Sequence, residues 1–418
     1  MDRSSRLIKG GTAALVTVTA LGSVFAASAG AQTTHMGKGK AAGNDKTRFV
    51  SPRGKDAWSC TKAQPCKTIT DAIAKSGNGG KVVVGPGTYR EDVRVTKDVT
   101  LTGRGNPVVN ARGLDNGIVV MGARAAGATV HGFTVRDATF EGLLVRNATR
   151  VTISGNTVAH NDLGRTAARP VGFCSPMGGG DCGEGIHLLG TTHSTIVNNT
   201  STGNAGGMLV SDETGPSAFN TISGNTIMDN PWACGITLAG HNPRAIVLGG
   251  TADAPVEMSR AKNVAGVYDN VVTNNTVERN GLRSAGGGVM IATGLPGGGV
   301  YDNTVKGNTA NGNGFGGVTL HSHVAGQDLN GNKIVDNTLS NDGVFGFPQT
   351  GAPGDQDAGI TDTVGITVFS AVTPLQGTVV SGNKISNVHF GVWTQNVPTI
   401  DPDANRTNAT VAVPLFQK

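Results

Sequence analysis

Histidines carry the most informative chemical signal in this sequence. The chain has nine histidines among 418 residues, yet His321 and His323 stand two apart, directly after the apolar residues Val318 and Leu320. Imidazole titrates near neutral pH, so a histidine can accept and return a proton without a large change of its pKa. Alternate residues of a strand point to the same side. The stretch GGVTLHSHVAG (316–326) therefore indicates a candidate acid–base site, provided that other parts of the chain add to it.

The stretch belongs to a repeated unit. Fragments of the type ISGNTVAHN begin at residues 153, 196, 222, 272, 305, 334 and 380, and fragments of the type GITLAGH begin at 185, 207, 235, 288, 317, 365 and 391. Both types alternate apolar with other residues, as strands do, and end in Gly or Asn, which tolerate the left-handed conformations of tight turns. The shortest unit, Asn199 to Asn225, is too short for a βαβ crossover and has the length of one coil of a solenoid.

One asparagine recurs in every unit and is predicted to be structural. In stacked coils it would occupy the same turn of each coil, where its amide can hydrogen-bond the coils above and below. The residues concerned are Asn156, Asn199, Asn225, Asn275, Asn308, Asn337 and Asn383.

The second fragment predicts which side chains face outward. With its glycine at position 0, positions 1 and 3 are apolar and should point into the solenoid, whereas positions 2, 4 and 6 should point out. Glu213 and His241 occupy position 6 in neighbouring coils, about 4.8 Å apart. His323 lies two coils beyond His241, at roughly 10 Å, with Gly294 between them. Other outward candidates are His187 and His321.

These residues suit β-elimination on a uronate polymer, in which a base removes the C5 proton of the sugar. We predict His241 or His323 as the base, and Glu213 as the group that orients His241 and raises the basicity of its ring. Arg283 or Arg244 would stabilise the carboxylate dianion. The residues predicted to bind substrate are His187, His321, Asp212, Gly294, Trp232 and Trp393.

Several alternatives remain open. Hydrolysis would need two opposed carboxylates, for which the candidates are Asp162, Asp181, Glu184, Asp355, Asp357 and Asp362; Glu184 at position −1 is expected to face inward. Epimerisation, or glycan binding without catalysis, would use the same face. A metal site is not predicted, because the coil spacing strains convergence of His241, His321, His323 and Glu213. A calcium requirement would favour the lyase, although no Asp-rich calcium turn repeats.

The N-terminal region resembles the opening of secreted right-handed parallel β-helix proteins of the pectate-lyase-like superfamily. The resemblance lies in FVSPRGKDAWSCTKAQPCKTITDAIAKSGNGGKVVVGPGTYREDVRVTKDVTLTGRG (49–105) and, with the repeats, covers nearly the whole mature chain. It implies an all-β, single-stranded right-handed parallel β-helix, with a short helix between Thr68 and Ser76 capping its open end through Ile69, Ala72 and Ile73. The fold hosts lyases, hydrolases, epimerases and non-catalytic proteins, so it does not fix the activity.

Composition and termini set the compartment and the partners that we expect. Residues 1–31 combine a basic start, an apolar run and small residues before a cleavage site, which predicts a secretory signal peptide. A flexible linker (32–46), the β-helix (47–410) and a C-terminal tail (411–418) follow. The net charge is +5, and loss of the three cationic and one anionic residues of the leader lowers it to +3. We expect a secreted monomer that binds a polysaccharide, with an acidic polymer as one candidate, and neither nucleic acid nor membrane.

The five cysteines suit an exported protein with disulfides. Cys60 and Cys66 bracket a short loop, as do Cys174 and Cys182, which predicts two disulfides with Cys234 left over. The alternative pairs Cys234 with Cys174 or Cys182.

Overall fold

The computed structural model describes residues 47–161, 183–242, 265–283, 286–344 and 362–418. The predicted signal peptide and linker lie outside these ranges, as do Cys174, Cys182 and Arg244. No helix in the described ranges is long and apolar enough to cross a membrane.

Each coil contributes one short strand to each of three parallel sheets of 11 strands. The first sheet contains Thr47–Val50, Gly80–Val84, Val99–Gly103, Thr129–His131, Thr152–Ser154, Thr195–Val197, Thr221–Ser223, Val271–Thr273, Thr304–Lys306, Lys333–Val335 and Val379–Ser381. The second contains Thr88–Tyr89, Val108–Asn110, Thr134–Arg136, Thr157–Ala159, Thr200–Thr202, Thr226–Met228, Thr276–Glu278, Thr309–Asn311, Thr338–Ser340, Lys384–Ser386 and Arg406–Thr407.

The third sheet carries the histidine positions. It contains Val93–Val95, Ile118–Met121, Leu143–Arg146, Glu184–Leu189, Gly206–Ser211, Ile236–Gly240, Val289–Thr293, Val318–Ser322, Val364–Ser370, Phe390–Gln395 and Val413–Gln417. A small sheet of Ser217–Ala218, Val267–Tyr268 and Val300–Tyr301 follows it in three coils. The last strand of the third sheet falls in 411–418, so the segment expected to be a tail extends the sheet by one strand.

The predicted register of the third sheet is confirmed. Met208 pairs with Ile236 and Val289 pairs with Val318, so the equivalent residues of successive coils stand side by side. Positions 1 and 3 are fully buried in the core, as Ile236 and Leu238 show. Because every coil repeats these two apolar residues, the core is a narrow column of aliphatic side chains.

The recurring asparagine forms the predicted ladder. The Nδ2 of Asn199 donates to the Oδ1 of Asn225, and the Nδ2 of Asn225 donates to the Oδ1 of Asn275, so that each bond joins one coil to the next. The same Oδ1 atoms accept backbone N–H groups, so the buried turns are satisfied.

Two further ladders were not predicted. One runs through the second asparagine of the same fragment (Asn161, Asn204, Asn230, Asn280, Asn313 and then Asp342). The other precedes the first sheet (Asn220, Asn270, Asn303 and Asn332).

A short helix closes the N-terminal end, as expected. It runs from Ile69 to Lys75, and the Thr68 side chain caps it by accepting from the N–H of Asp71. Its buried residues are Ile69, Ala72 and Ile73, so the helix covers the first coil with an apolar face. The predicted disulfide between Cys60 and Cys66 lies beside it.

Two helical turns of the 3-10 type complete the described elements, at Ala123–Ala125 and Pro402–Ala404.

Candidate active site

Glu213 and His241 form a direct pair on the outer side of the third sheet. The Nδ1 of His241 lies 2.5 Å from the Oε1 of Glu213. The His241 and Glu213 side chains are 29% and 24% exposed, so the pair is sheltered but open to solvent. Their strands, Gly206–Ser211 and Ile236–Gly240, are neighbours in register. The predicted contact between Glu213 and His241 is confirmed.

The pair has a defined charge. Burial acts to raise the pKa of Glu213, but the hydrogen bond and charge of His241 outweigh burial and lower that pKa to about 2. Glu213 is therefore ionised at neutral pH and can only accept hydrogen bonds. His241 consequently presents Nδ1–H to Glu213, and in the neutral ring Nε2 keeps its lone pair.

Asp212 holds the backbone around His241 and does not face a ligand. It is fully buried, and its carboxylate accepts from the backbone N–H groups of His241, Asn242 and Gly266 at 2.7, 3.0 and 2.6 Å. Burial raises the pKa of Asp212 to about 6, partly opposed by these hydrogen bonds. The prediction that Asp212 binds substrate is wrong, because its oxygens are enclosed; the residue positions His241 instead.

His187 is also enclosed rather than presented to a ligand. Its side chain is 3% exposed, with Nε2 2.8 Å from the Ser211 hydroxyl and Nδ1 3.5 Å from Oε1 of Glu141. His187 stands at an outward-facing position of its strand, yet side chains of the neighbouring coils, Ser211 and Glu141, cover its ring. The prediction that it contacts substrate is therefore corrected.

His321 and His323 contact each other. The Nδ1 of His321 meets the Nε2 of His323 within hydrogen-bond reach, and His323 also lies at an edge-to-face angle to Phe369. Burial first, and His323 second, lower the pKa of His321 to about 3. His321 is therefore neutral at neutral pH.

Gly294 leaves an open floor between His241 and His323. No described residue lies within 4 Å of where its side chain would begin, and its backbone is not in the left-handed region. Two coil steps separate the strands of His241 and His323, which corresponds to about 10 Å. The predicted gap between the two histidines is present.

Trp232 and Arg283 lie where the strands of the third sheet begin, whereas Glu213 and His241 lie where these strands end. Arg283 stands over the Trp232 ring at 5.5 Å. Trp232 precedes the strand that starts at Ile236, whereas His241 follows its end. The length of this strand separates Ile236 from His241 by about 16 Å. Arg283 is thus not placed to act on the sugar that His241 would deprotonate.

Trp393 packs instead of lining a groove. It is 3% exposed and belongs to an apolar cluster with Val364 and Phe369, and Phe416 of the next coil stacks on it at 5.8 Å. The prediction that Trp393 binds sugar is wrong, because neighbouring aromatic rings cover it. The exposed ring is that of Phe416, in the segment predicted as a tail.

Glu184 is a residue that sequence reasoning misplaced. A side chain on Gly185 would meet Ser201 and Asn204 inside the coil, so Gly185 faces inward, as does Ile186 after it. The alternation therefore slips at the glycine, and Glu184 faces outward. The N–H of Gly142 donates to the carbonyl of Glu184, which sets Glu141 beside Glu184 in the preceding coil.

One group of described residues comes within metal-ligand reach of one another: Cys60, Cys66 and Asp71. The two thiols are joined as a disulfide, so this group does not offer the thiolates that a metal would need. Among the described cysteines, Cys234 is a free thiol, and burial raises its pKa.

These sheets and ladders define a parallel β-helix. Residues 95–393 match the family model described as right handed beta helix region, and the chain belongs to that family. The comparison with curated proteins returned no match.

Solved structures share the fold at low identity. An alginate lyase from Paenibacillus sp. str. FPU-7 is 16% identical, with 84% of this chain and 95% of that chain covered and a TM-score of 0.51. A mutant tailspike protein of E. coli bacteriophage HK620, solved with a pentasaccharide, is 12% identical, with 88% and 68% covered and a TM-score of 0.52. At these identities the likeness concerns the fold.

Proposed function

We propose that the protein is a secreted carbohydrate-active enzyme that cleaves a uronate-containing polysaccharide by β-elimination. The polymer would lie along the outer side of the third sheet, across the C-terminal ends of its strands, where His241, Gly294 and His323 stand. The observation that carries the proposal is the contact between Glu213 and His241 beside an open floor. A base oriented by a carboxylate is suited to abstract a proton next to a carboxyl group.

His241 acts as the base in this scheme. Its Nε2 takes the proton from C5 of the uronate, while its Nδ1–H remains hydrogen-bonded to Glu213. The imidazolium that forms therefore faces a carboxylate. The electrons of the C5–H bond form the C4–C5 double bond as the bond from C4 to the glycosidic oxygen breaks. That oxygen leaves with a proton from His241 or from water.

His323 stands about 10 Å further along the edge, about the size of one sugar ring. The Nε2 of His323 meets His321, and its Nδ1 is buried, so His323 is not placed to take a proton from the sugar. Gly294 leaves room for the ring between the two positions. His241 therefore serves proton transfer.

The carboxylate dianion of the reaction needs a cation or a hydrogen-bond donor. Arg283 is too far across the sheet, and Arg244 lies outside the described residues. A calcium requirement stays a prediction, to be tested by addition and chelation. Support for a carbohydrate substrate comes from the alginate lyase and the tailspike bound to a pentasaccharide, which share the fold.

Hydrolysis is the second candidate, because Glu141 and Glu184 adjoin on the outer side of successive coils. Two carboxyl groups about 5 Å apart are the spacing of retaining glycosidases. Both side chains are buried, however, and the partly exposed Glu213–His241 pair favours elimination.

Product analysis tests the proposal. The protein is incubated with a panel of acidic and neutral polysaccharides, with added calcium or with a chelator, and the product masses are measured by mass spectrometry. Elimination yields oligosaccharides with an unsaturated end, which support the proposal. A product that has gained water indicates a hydrolase, an inverted sugar without cleavage indicates an epimerase, and binding without product indicates a non-catalytic protein; each contradicts elimination.

A further inference from the structure

A continuous row of polar side chains leads from Glu141 to His241 along the outer side of the third sheet. The Nε2 of His187 lies 2.8 Å from the Ser211 hydroxyl, which lies 2.5 Å from the Oε2 of Glu213. His241 contacts the other oxygen of Glu213. These residues come from successive coils, so a row of hydrogen bonds runs parallel to the solenoid axis.

The number of protons in this row fixes its direction. Glu213 is ionised and can only accept, so the single hydroxyl proton of Ser211 is donated to Glu213. Ser211 has no second proton for His187, and the Nε2 of His187 must therefore carry the hydrogen that Ser211 accepts. Both histidines thus direct their hydrogens toward Glu213, one directly and one through Ser211.

We infer that Ser211 and His187 are positioning residues that hold Glu213 as an acceptor and thereby fix His241 in the tautomer with Nδ1–H. The inference rests on the proposed function, since this tautomer frees Nε2 to act as the base. Ser211 restrains Oε2, which leaves Oε1 to His241. His187 occupies a lone pair of Ser211, so the hydroxyl cannot turn away from Glu213.

The same atoms also match the order of a serine-hydrolase triad, with Ser211 next to His187 and His187 next to Glu141. Two observations exclude that role. Ser211 is fully buried, so no substrate reaches its oxygen. Its proton is donated to Glu213 rather than to the histidine, so His187 does not act as its base.

The charged groups around the row determine how it responds to pH. Glu141 faces His187 from the preceding coil, at 3.5 Å, and Glu184 stands on the same strand as His187. Glu213 and the buried Asp212 belong to the following coil, and Cys234 lies near Glu184. The hydrogen bond from Ser211 and the charge of His187 both act to lower the pKa of Glu213. Removing either one leaves the negative charge of Glu213 less compensated, which favours the imidazolium form of His241. It also releases Oε2, so Oε1 is no longer held against Nδ1 of the neutral ring.

The experiment follows His241 directly, by 15N-histidine NMR titration, in the wild-type protein and in the variants S211A, H187L and H187Q. The amide introduced by H187Q can still donate to Ser211, whereas the aliphatic side chain introduced by H187L cannot. We expect Nδ1–H at His241 in the wild type, and mixed tautomers with an upward shift of its titration by about 0.5 pH unit or more in S211A and H187L. H187Q keeps the donor to Ser211 and should keep the wild-type tautomer. The acid limb of the kcat/KM profile should move with the titration. Circular dichroism checks that each variant folds.

An unchanged tautomer and titration of His241 in folded S211A and H187L would overturn the inference. Labelling of Ser211 by a fluorophosphonate would also overturn it, because the serine would then be a nucleophile. If no polysaccharide yields a product, the proposed function fails, whereas the NMR result still decides whether this row controls His241.

Discussion

His241 and Glu213 are 28 residues apart in sequence, yet their Nδ1 and Oε1 atoms lie 2.5 Å apart. One coil of the solenoid separates the two strands, and the parallel register places equivalent positions side by side. The repeated scaffold thus sets the ends of two neighbouring strands side by side, and the turns that follow them carry the carboxylate and the imidazole. The fully buried Asp212 adds to this by binding the backbone N–H of His241.

Filling the gap at Gly294 should block substrate without harming the fold. In the variant G294L, the new side chain would stand in the open space between His241 and His323. We expect kcat/KM to fall at least about tenfold while the free energy of unfolding changes by no more than about 0.5 kcal/mol. Steady-state kinetics and urea unfolding measure the two quantities.

The matched control is G77L. Gly77 likewise has no neighbour within 4 Å of its side-chain position among the residues that the structure describes, and its backbone is not left-handed. It lies next to the capping helix. It should leave both stability and activity unchanged. Full activity of G294L on a long polymer would show that the substrate does not cross this floor.

Asp342 makes stability depend on pH. Burial raises its pKa from 3.8 to about 7, against hydrogen bonds from Asn313 and Ser340. A carboxyl whose pKa is higher in the folded than in the unfolded state stabilises the fold below its unfolded pKa, and this stabilisation is lost as the pH rises to the folded pKa. Between about pH 4 and about pH 7 the protein should therefore lose up to about 4 kcal/mol from this group.

Replacing Asp342 with asparagine should remove that loss. D342N would complete a ladder that has asparagine at every preceding rung, and its Oδ1 can still accept from Asn313. We expect D342N to be more stable than wild type by up to about 4 kcal/mol at about pH 8 in urea unfolding, with little difference at about pH 4. D336N, at a residue of the same coil whose side chain is 59% exposed, should show no such effect. If D342N is no more stable than wild type at the higher pH, ionisation of Asp342 does not destabilise the fold.

The asparagine ladders should contribute strongly to stability. Asn225 donates to the carbonyl of Ile196 and to Asn275, and accepts from the N–H and the side chain of Asn199. N225A removes these bonds and leaves buried polar groups unsatisfied, which should cost about 3–5 kcal/mol. S223A, at a half-buried residue of the same coil, serves as the control in urea unfolding. A loss below about 1 kcal/mol would mean that the ladder is dispensable.

The sequence was sufficient to predict the fold because the same pattern of residues recurs in each coil, so that equivalent positions can be aligned. Alternation and the recurring Gly and Asn indicated the register of the third sheet, including the pairing of Met208 with Ile236. The second and third ladders were missed, although Asn161 and Asn204 stand at a constant distance after Asn156 and Asn199. That regular spacing was the signal that could have revealed the second ladder.

The site was predictable only in part, because strand alternation fixes a direction but not an exposure. It placed Glu213 beside His241 correctly. It did not show that His187 and Trp393 are covered by neighbours, nor that Asp212 binds the backbone of the next loop. It placed Glu184 on the wrong side, since Gly185 faces inward and shifts the alternation by one residue. Such local breaks depend on packing between coils, which a single repeat does not reveal.

The most direct test of the account measures elimination by the variant H241Q on the polymer that the wild-type protein cleaves. Ultraviolet absorbance of the unsaturated product gives the rate, with E213Q and the surface variant H131Q in parallel; His131 is exposed and contacts Ser154 on the first sheet. The account predicts that H241Q loses about 10²–10⁴-fold in kcat, that E213Q is also impaired, and that H131Q is unaffected. Elimination by folded H241Q at a rate close to wild type, or no unsaturated product from the wild type on any uronate polymer, would contradict it.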